Sequence, residues 1–159
     1  MRTKLAFLLF MTGTVLGLGW ERSGSPQFKI TISTQKPVVQ LGSDVPIKIK
    51  LTNNSSQELN TSANISDLTG VDPNYSYEAR DSRGSPVKIK RHEHPELAFG
   101  HAIFGSVKPG ESVTTVQDIS RLLDFDKPGK YVIQVSRRVP DPKNGVLVKS
   151  NKIIITVTH

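Results

Sequence analysis

Three of the four histidines in this 159-residue chain fall in one stretch, RHEHPELAFGHA, as His92, His94 and His101, with Glu93 and Glu96 beside them. On an extended strand, side chains two apart share a face, so His92 and His94 could bind one metal ion. His101 or a neighbouring carboxylate would complete a set suited to zinc, copper or nickel. The helical metalloprotease pattern is absent, because it places three residues between its histidines and here only Glu93 intervenes. Pro95 also makes the segment irregular, and the third ligand would have to return from another strand. A polar edge loop is the preferred reading and a metal pair the alternative.

Other chemistry has less support. Serines are plentiful, but no G-x-S-x-G elbow holds one as a nucleophile. No phosphate-cradling glycine loop precedes a helix, so no nucleotide or other cofactor is called for. Asp124 and Asp126 flank a Pro/Gly bend and read as turn residues, not as a glycosidase pair facing a cleft. The chain has no cysteine, which excludes thiol catalysis, zinc–cysteine sites and disulfides.

The elements that would position these groups follow from alternation. In FKITIS, Phe28, Ile30 and Ile32 alternate with polar residues; in PIKIKLT, Ile47, Ile49 and Leu51 do the same. Such a period of two sets one face on a core and the other in water. Further strands are expected over 75–80, 87–90, 99–107, 112–119, 130–137 and 152–158. Gly/Pro/Asp turns separate them, among them 81–84, 108–111 with Gly110, 127–129 with Gly129, and 141–145. DISRLLDF is expected to form one helical turn. Seven to nine short strands with no disulfide read as an all-β, antiparallel, immunoglobulin-like β-sandwich. In DFDKPGKYVIQV, Tyr131 after an acidic Pro/Gly bend is placed as a tyrosine corner, a structural role.

The N-terminus reads MRTK, then an apolar run to Trp20 with no acidic residue before Glu21. This is the layout of a secretory signal peptide over 1–19, with cleavage as late as 25, and 20–26 as a flexible lead-in to a domain at 27–158. An uncleaved N-terminal anchor is the alternative; after cleavage no membrane span remains. Net charge is +7, or +5 without Arg2 and Lys4. The basic residues alternate with apolar ones as on a wet strand face, so nucleic acid is not expected as a partner. Asn53, Asn54, Asn60, Asn64 and Asn74 begin N-x-S/T patterns, read here as an unmodified polar turn of a secreted or periplasmic bacterial protein.

Two surface stretches could meet a partner. Phe99 and Ile103 would share one face of an apolar edge strand open to a partner's strand, although closing the bottom of the core is the preferred reading; Arg137 and Arg138, beside the VPDPKNG turn, would meet an acidic or glycan partner or simply sit in water.

VQLGSDVPIKIKLTNNSSQEL, YSYEARDSRGSPV, VKPGESVTTVQDISRLLDFDKPGKYVIQV and SNKIIITV, in that order, resemble bacterial immunoglobulin-like domains. The order is similar to that of the Bacillus intracellular proteinase inhibitor family and of macroglobulin-type domains. The resemblance spans about residues 27–158 and implies the fold. It raises protease inhibition as one possible role and carries over no reactive-site residue. The combined expectation is an exported, non-catalytic binding or accessory module of the cell envelope or extracellular space. Its partner would be another protein or an envelope component, and its oligomeric state is open. Protease inhibition and metal binding through the 92–101 segment are the alternatives.

Overall fold

The computed structural model describes residues 27–66, 70–90, 100–141 and 143–159, with 62–66 and 100–104 described by their backbone pairing alone. The expected leader 1–19 and the lead-in to residue 26 lie outside it. Nine strands run in the order β1 (Phe28–Ser33), β2 (Val38–Gln40), β3 (Pro46–Asn53), β4 (Leu59–Ser66), β5 (Tyr75–Asp81), β6 (Gly100–Val107), β7 (Ser112–Asp118), β8 (Gly129–Val139) and β9 (Val146–Thr158). They form an all-β sandwich. One sheet has the order β1-β3-β7, the other β2-β9-β8-β5, and β4 pairs with β6 as a separate ribbon. With the ribbon and the short β2 set apart, β1, β3 and β7 on one side and β5, β8 and β9 on the other give the immunoglobulin-like arrangement.

Alternation builds the core. Ile30, Ile47, Ile49, Leu51, Ile133 and Ile155 are buried to 2 % exposure or less. Each contributes about 2 kcal/mol relative to solvent. The alternating lysines and threonines of the same strands face out. The chain then leaves the first sheet at Ser33, and β2 joins the second sheet parallel to β9, the one departure from antiparallel pairing among the described strands.

A register shift opposite Gln134 and Ser136 adds one residue to β9. Val135 N–H donates to Ser150 Oγ (3.0 Å), so the irregularity leaves no open donor there. A bulge of this kind re-aims a side chain. Here it sends Asn151 across to the other sheet. Asn151 Oδ1 accepts from Ile32 N–H (2.8 Å) and its Nδ2 donates to the Ile32 carbonyl (3.0 Å). The amide therefore stands in for a strand along part of the β1 edge.

Three expectations need correction. The stretch read as a polar turn forms β4, paired with β6 from Leu59↔Val107 to Ser66↔Gly100. The strand expected over 87–90 is a crossing segment with isolated bridges, Arg80↔Pro86 and Ile89↔Leu123. It ties the β5 edge to the segment after β7 and does not run along either. The last two strands also extend past their expected limits, to Val139 and back to Val146. The single helical turn forms as expected, as a 3-10 turn over Ile119–Arg121 capped by Asp118.

Candidate functional site

One end of the sandwich carries a groove of about 300 Å³ between the 81–84 turn and the 124–130 bend. The first wall is a turn locked by its own aspartate. Asp81 Oδ1 accepts from Ser85 N–H (2.8 Å) and Arg83 N–H (2.9 Å), and Gly84 N–H returns to the Asp81 carbonyl (2.9 Å). Gly84 has φ +81°, a conformation that favours glycine. The Ser85 and Arg83 N–H groups hold the Asp81 carboxyl below the usual carboxylate range. The second wall is fixed from below. Tyr131 is buried, packs edge-on against Phe125 at 5.1 Å, and donates its hydroxyl to the Lys127 carbonyl (2.7 Å). Burial pushes the Tyr131 hydroxyl up, so it remains a donor. Gly129 opens β8 at φ +150°. The crossing segment joins the walls, with Asp124 N–H donating to the Lys88 carbonyl (2.9 Å) and Lys90 N–H to the Leu122 carbonyl (2.8 Å).

The groove is lined by both signs of charge: Asp81, Arg83, Lys88, Asp126, Lys127 and Lys130 among others. Arg83 Nε sits 3.7 Å from Asp81 Oδ2. Exposed ion pairs of this type contribute little stability. Their value is to present donors and an ionised acceptor in fixed places. The sequence marks both walls as turns. That they face each other across one groove depends on long-range pairing, which local pattern does not record.

Arg137, expected at the surface, is buried at 6 % exposure. The reason is alternation: β8 continues to Val139, so Arg137 falls in phase with Tyr131, Ile133 and Val135. Its Nη1 lies 3.9 Å from Asp72 Oδ2, its Nη2 donates to Thr61 Oγ1 (3.1 Å), and its Cζ lies 5.0 Å from the Tyr75 ring centre. Asp72 N–H donates to Gln117 Oε1 (3.0 Å), which also receives the Tyr77 hydroxyl. Burial pushes both the Tyr75 and Tyr77 hydroxyls up. This polar cluster joins β5, β7, β8 and the ribbon.

Arg138 remains exposed and donates through Nη1 to the Gly145 carbonyl (3.0 Å). The tip it braces is tied again by Asp141, whose Oδ1 accepts from Asn144 N–H (2.9 Å) and Lys143 N–H (2.6 Å). Those bonds hold the Asp141 carboxyl below the usual range. Gly145 permits the close return of the chain: a Cβ there would run into the Asp141 carbonyl oxygen and lie 2.6 Å from Val139 C. Val146 and Leu147 are exposed at 70 % and 47 % beside this tip.

The other sequence candidates are placed as follows. His101 and Ile103 lie on β6, paired in register with Ile65 and Ala63 of β4. His92, His94 and Phe99 lie outside the described residues. Among the described residues, no three His, Asp or Glu side chains gather where they could hold a metal ion, and no helix is long and apolar enough to cross a membrane. Gly110, at φ +81°, turns the chain into β7 and donates its N–H to the Asn53 carbonyl (2.8 Å). Asn53 itself is fully buried. Its Nδ2 donates to the Gln57 (2.7 Å) and Val107 (2.8 Å) carbonyls, so this acceptor pattern cannot carry a sugar in the folded chain.

No protein-family model matches the sequence, and no curated protein matches it. Solved structures are similar at low identity. A β-glucosidase from Listeria innocua in complex with glucose is 11 % identical, with a TM-score of 0.44 over 83 % of this chain and 16 % of the glucosidase. The Pseudomonas fluorescens alkylpurine DNA glycosylase AlkC is 14 % identical, with a TM-score of 0.40 over 84 % of this chain and 31 % of AlkC. The chain thus spans less than a third of either enzyme. An ASH/PapD-like domain of human CEP192 is 11 % identical, with a TM-score of 0.32 over 98 % of this chain and 94 % of that domain. At this level the likenesses bear on neither activity nor partner.

Proposed function

We propose that the protein is an exported, non-catalytic binding or accessory module of the cell envelope or extracellular space, which meets a partner protein through the sandwich-end groove. The observation that carries this reading is the pair of hydrogen-bonded turns, 81–84 and 124–130, that hold both signs of charge across about 300 Å³ of open space. Rigid loops on a β-sandwich are a common place for recognition, because the frame has already met the cost of ordering them. An open, two-signed groove suits the main chain and polar side chains of another protein better than it suits an apolar small molecule. The basic head and apolar run of the first 20 residues support export.

The test is site-specific photo-cross-linking in the source's own envelope and secreted fractions. A photoreactive residue replaces Arg83 or Lys88 in the groove, and Thr114 or Glu78 as controls away from it. One species captured from both groove positions and from neither control is the expected result. Capture of the same species from all four positions, or from none, overturns the reading.

The braced 139–146 tip favours a second reading, protease inhibition. A rigid exposed loop is what such an inhibitor must present. Loss of activity in a panel of serine, cysteine and metallo-peptidases, relieved by substituting Val146 and Leu147, would select it.

A further inference from the structure

The outward face of the β1-β3-β7 sheet has a composition unlike the rest of the molecule. Register sets nine outward positions side by side: 29, 31 and 33 on β1, 52, 50 and 48 on β3, and 112, 114 and 116 on β7. Three are lysines (Lys29, Lys48 and Lys50), five carry hydroxyls, and the ninth is Val116. No carboxylate falls among them. The carboxylates at the two ends of β7 are engaged elsewhere. Glu111 Oε2 accepts from Lys108 N–H (3.2 Å), and Asp118 Oδ1 accepts from Val45 N–H (2.8 Å) and the Ser120 hydroxyl (2.7 Å). The outward face of the second sheet differs, since Glu78 stands there in register with Gln134 and Lys152.

A cavity of about 290 Å³ opens on this face, lined by Ser33, Gln35, Lys36, Pro46, Lys48 and Val116. It adds a fourth cation, Lys36, and again no carboxylate. Positive charge is thus both spread along the sheet and gathered at one hollow.

We propose that this face docks an anionic polysaccharide, with the strand lysines meeting its charged groups and the cavity taking one charged sugar unit. Charge complementarity selects an anion. The remaining chemistry selects a sugar polymer among anions. Serine and threonine hydroxyls donate and accept, as sugar hydroxyls do, and such contacts work well through water. The face has no aromatic ring on which the bases of single-stranded nucleic acid could stack. It lacks the aromatic and arginine anchors that dominate protein interfaces. Val116 is its only large apolar group, too little for the buried apolar face that membrane association uses. The surface is separate from the sandwich-end groove, so it stands or falls independently of the partner proposed there.

The experiment titrates the full chain with dextran sulfate and with polygalacturonate, using neutral dextran as the blank, at low and physiological salt. The test variant is Lys48→Glu/Lys50→Glu. The control, Lys149→Glu/Lys152→Glu, makes the same change in net charge at exposed positions of β9, on the other sheet. Expected is at least a ~10-fold loss of affinity for an acidic polymer in the first and under ~3-fold in the second, since only local charge neutralises the bound anion. Lys48→Ser/Lys50→Ser adds no negative charge, keeps strand-compatible residues, and should lose about half as much on a logarithmic scale; it decides the matter if the glutamate pair does not fold. Equal losses in the two glutamate pairs would mean only net charge is read and would overturn the proposal. So would binding no stronger than to neutral dextran. Vesicles of equal phosphatidylglycerol and phosphatidylcholine, and a 20-base-pair DNA duplex, serve as rival ligands. Tighter binding to either, lost in the same Lys48/Lys50 variants, would reassign the face and refute the sugar.

Discussion

Arg137 tests the interior of the fold most severely, because its inward placement runs against what its charge suggests. Arg137→Ala removes the cation 3.9 Å from Asp72 and the bond to Thr61, and leaves a carboxylate at 1 % exposure without that guanidinium. Breaking a buried pair from one side costs about 3–5 kcal/mol. The cation over the Tyr75 ring is part of what is lost, at about 1 kcal/mol or somewhat more when desolvated. A domain spanning 27–158, roughly 130 residues, unfolds with an entropy near 0.28 kcal/mol/K, so about 4 kcal/mol lowers the melting temperature by about 14 °C. Calorimetry of Arg137→Ala, Asp72→Asn and the Asp72→Asn/Arg137→Met double variant measures it. The double variant should be less destabilised than the two singles added together, with a coupling near 2 kcal/mol. A melting temperature within ~4 °C of the parent, or singles that add to within ~0.5 kcal/mol, would refute the buried pair. Arg137 would then return to the surface as a recognition residue.

Other outcomes follow from single contacts. Asn53→Asp replaces two N–H donors with carboxylate oxygen facing the Gln57 and Val107 carbonyls and should cost about 3 kcal/mol in urea unfolding; a change below ~0.5 kcal/mol would contradict the burial of Asn53. Asn151→Ala uncovers the Ile32 backbone on the β1 edge, so about 1–2 kcal/mol should be lost and sedimentation should detect self-association through the opened edge. Tyr131→Phe removes the hydroxyl from the Lys127 carbonyl and should lower the melting temperature by about 4 °C; an unchanged value would mean that water serves that carbonyl equally well. Because the Ser85 and Arg83 N–H groups hold the Asp81 carboxyl below its unfolded value, its stabilising effect is complete above that value and lost as pH falls through the depressed one. Melts below about pH 4 should therefore fall less steeply in Asp81→Asn than in the parent, and parallel curves would count against the assignment.

The strands that alternate strictly were legible in the sequence. Phe28–Ser33, Pro46–Asn53 and Tyr75–Asp81 bury every second residue, and burial is what the alternation encodes. β4 is harder to read, because in LNTSANIS the alternation of Leu59, Ala63 and Ile65 is diluted by small polar residues and overlaid by N-x-S/T patterns that look like a turn. Its pairing with β6 is a tertiary fact that outweighs weak local preference. Arg137 ends the strand expected over 130–137, in phase with Tyr131, Ile133 and Val135, so alternation puts its guanidinium inside where its charge alone suggests the surface. The turns of the sandwich-end groove were legible one by one through Asp81, Gly84 and Gly129, while their meeting across the groove was not.

Two asparagines explain why the remainder escaped. Asn53 and Asn151 both sit in stretches that look like polar turn or strand-end sequence, and each uses its amide as a piece of surrogate backbone. Asn53 fastens the end of β3 to the base of the β4–β6 ribbon, and Asn151 sews β9 to β1 across the two sheets. Such a residue carries no periodic signal, since its partners are carbonyls and N–H groups that every position possesses. Its role becomes visible only when the backbone is audited for who satisfies whom. In a chain without disulfides, these side-chain staples hold the two sheets and the ribbon in fixed relation. Asn151 thereby links the sheet that carries the lysine face, through β1, to the sheet that carries one wall of the sandwich-end groove, through β9 and its neighbour β8.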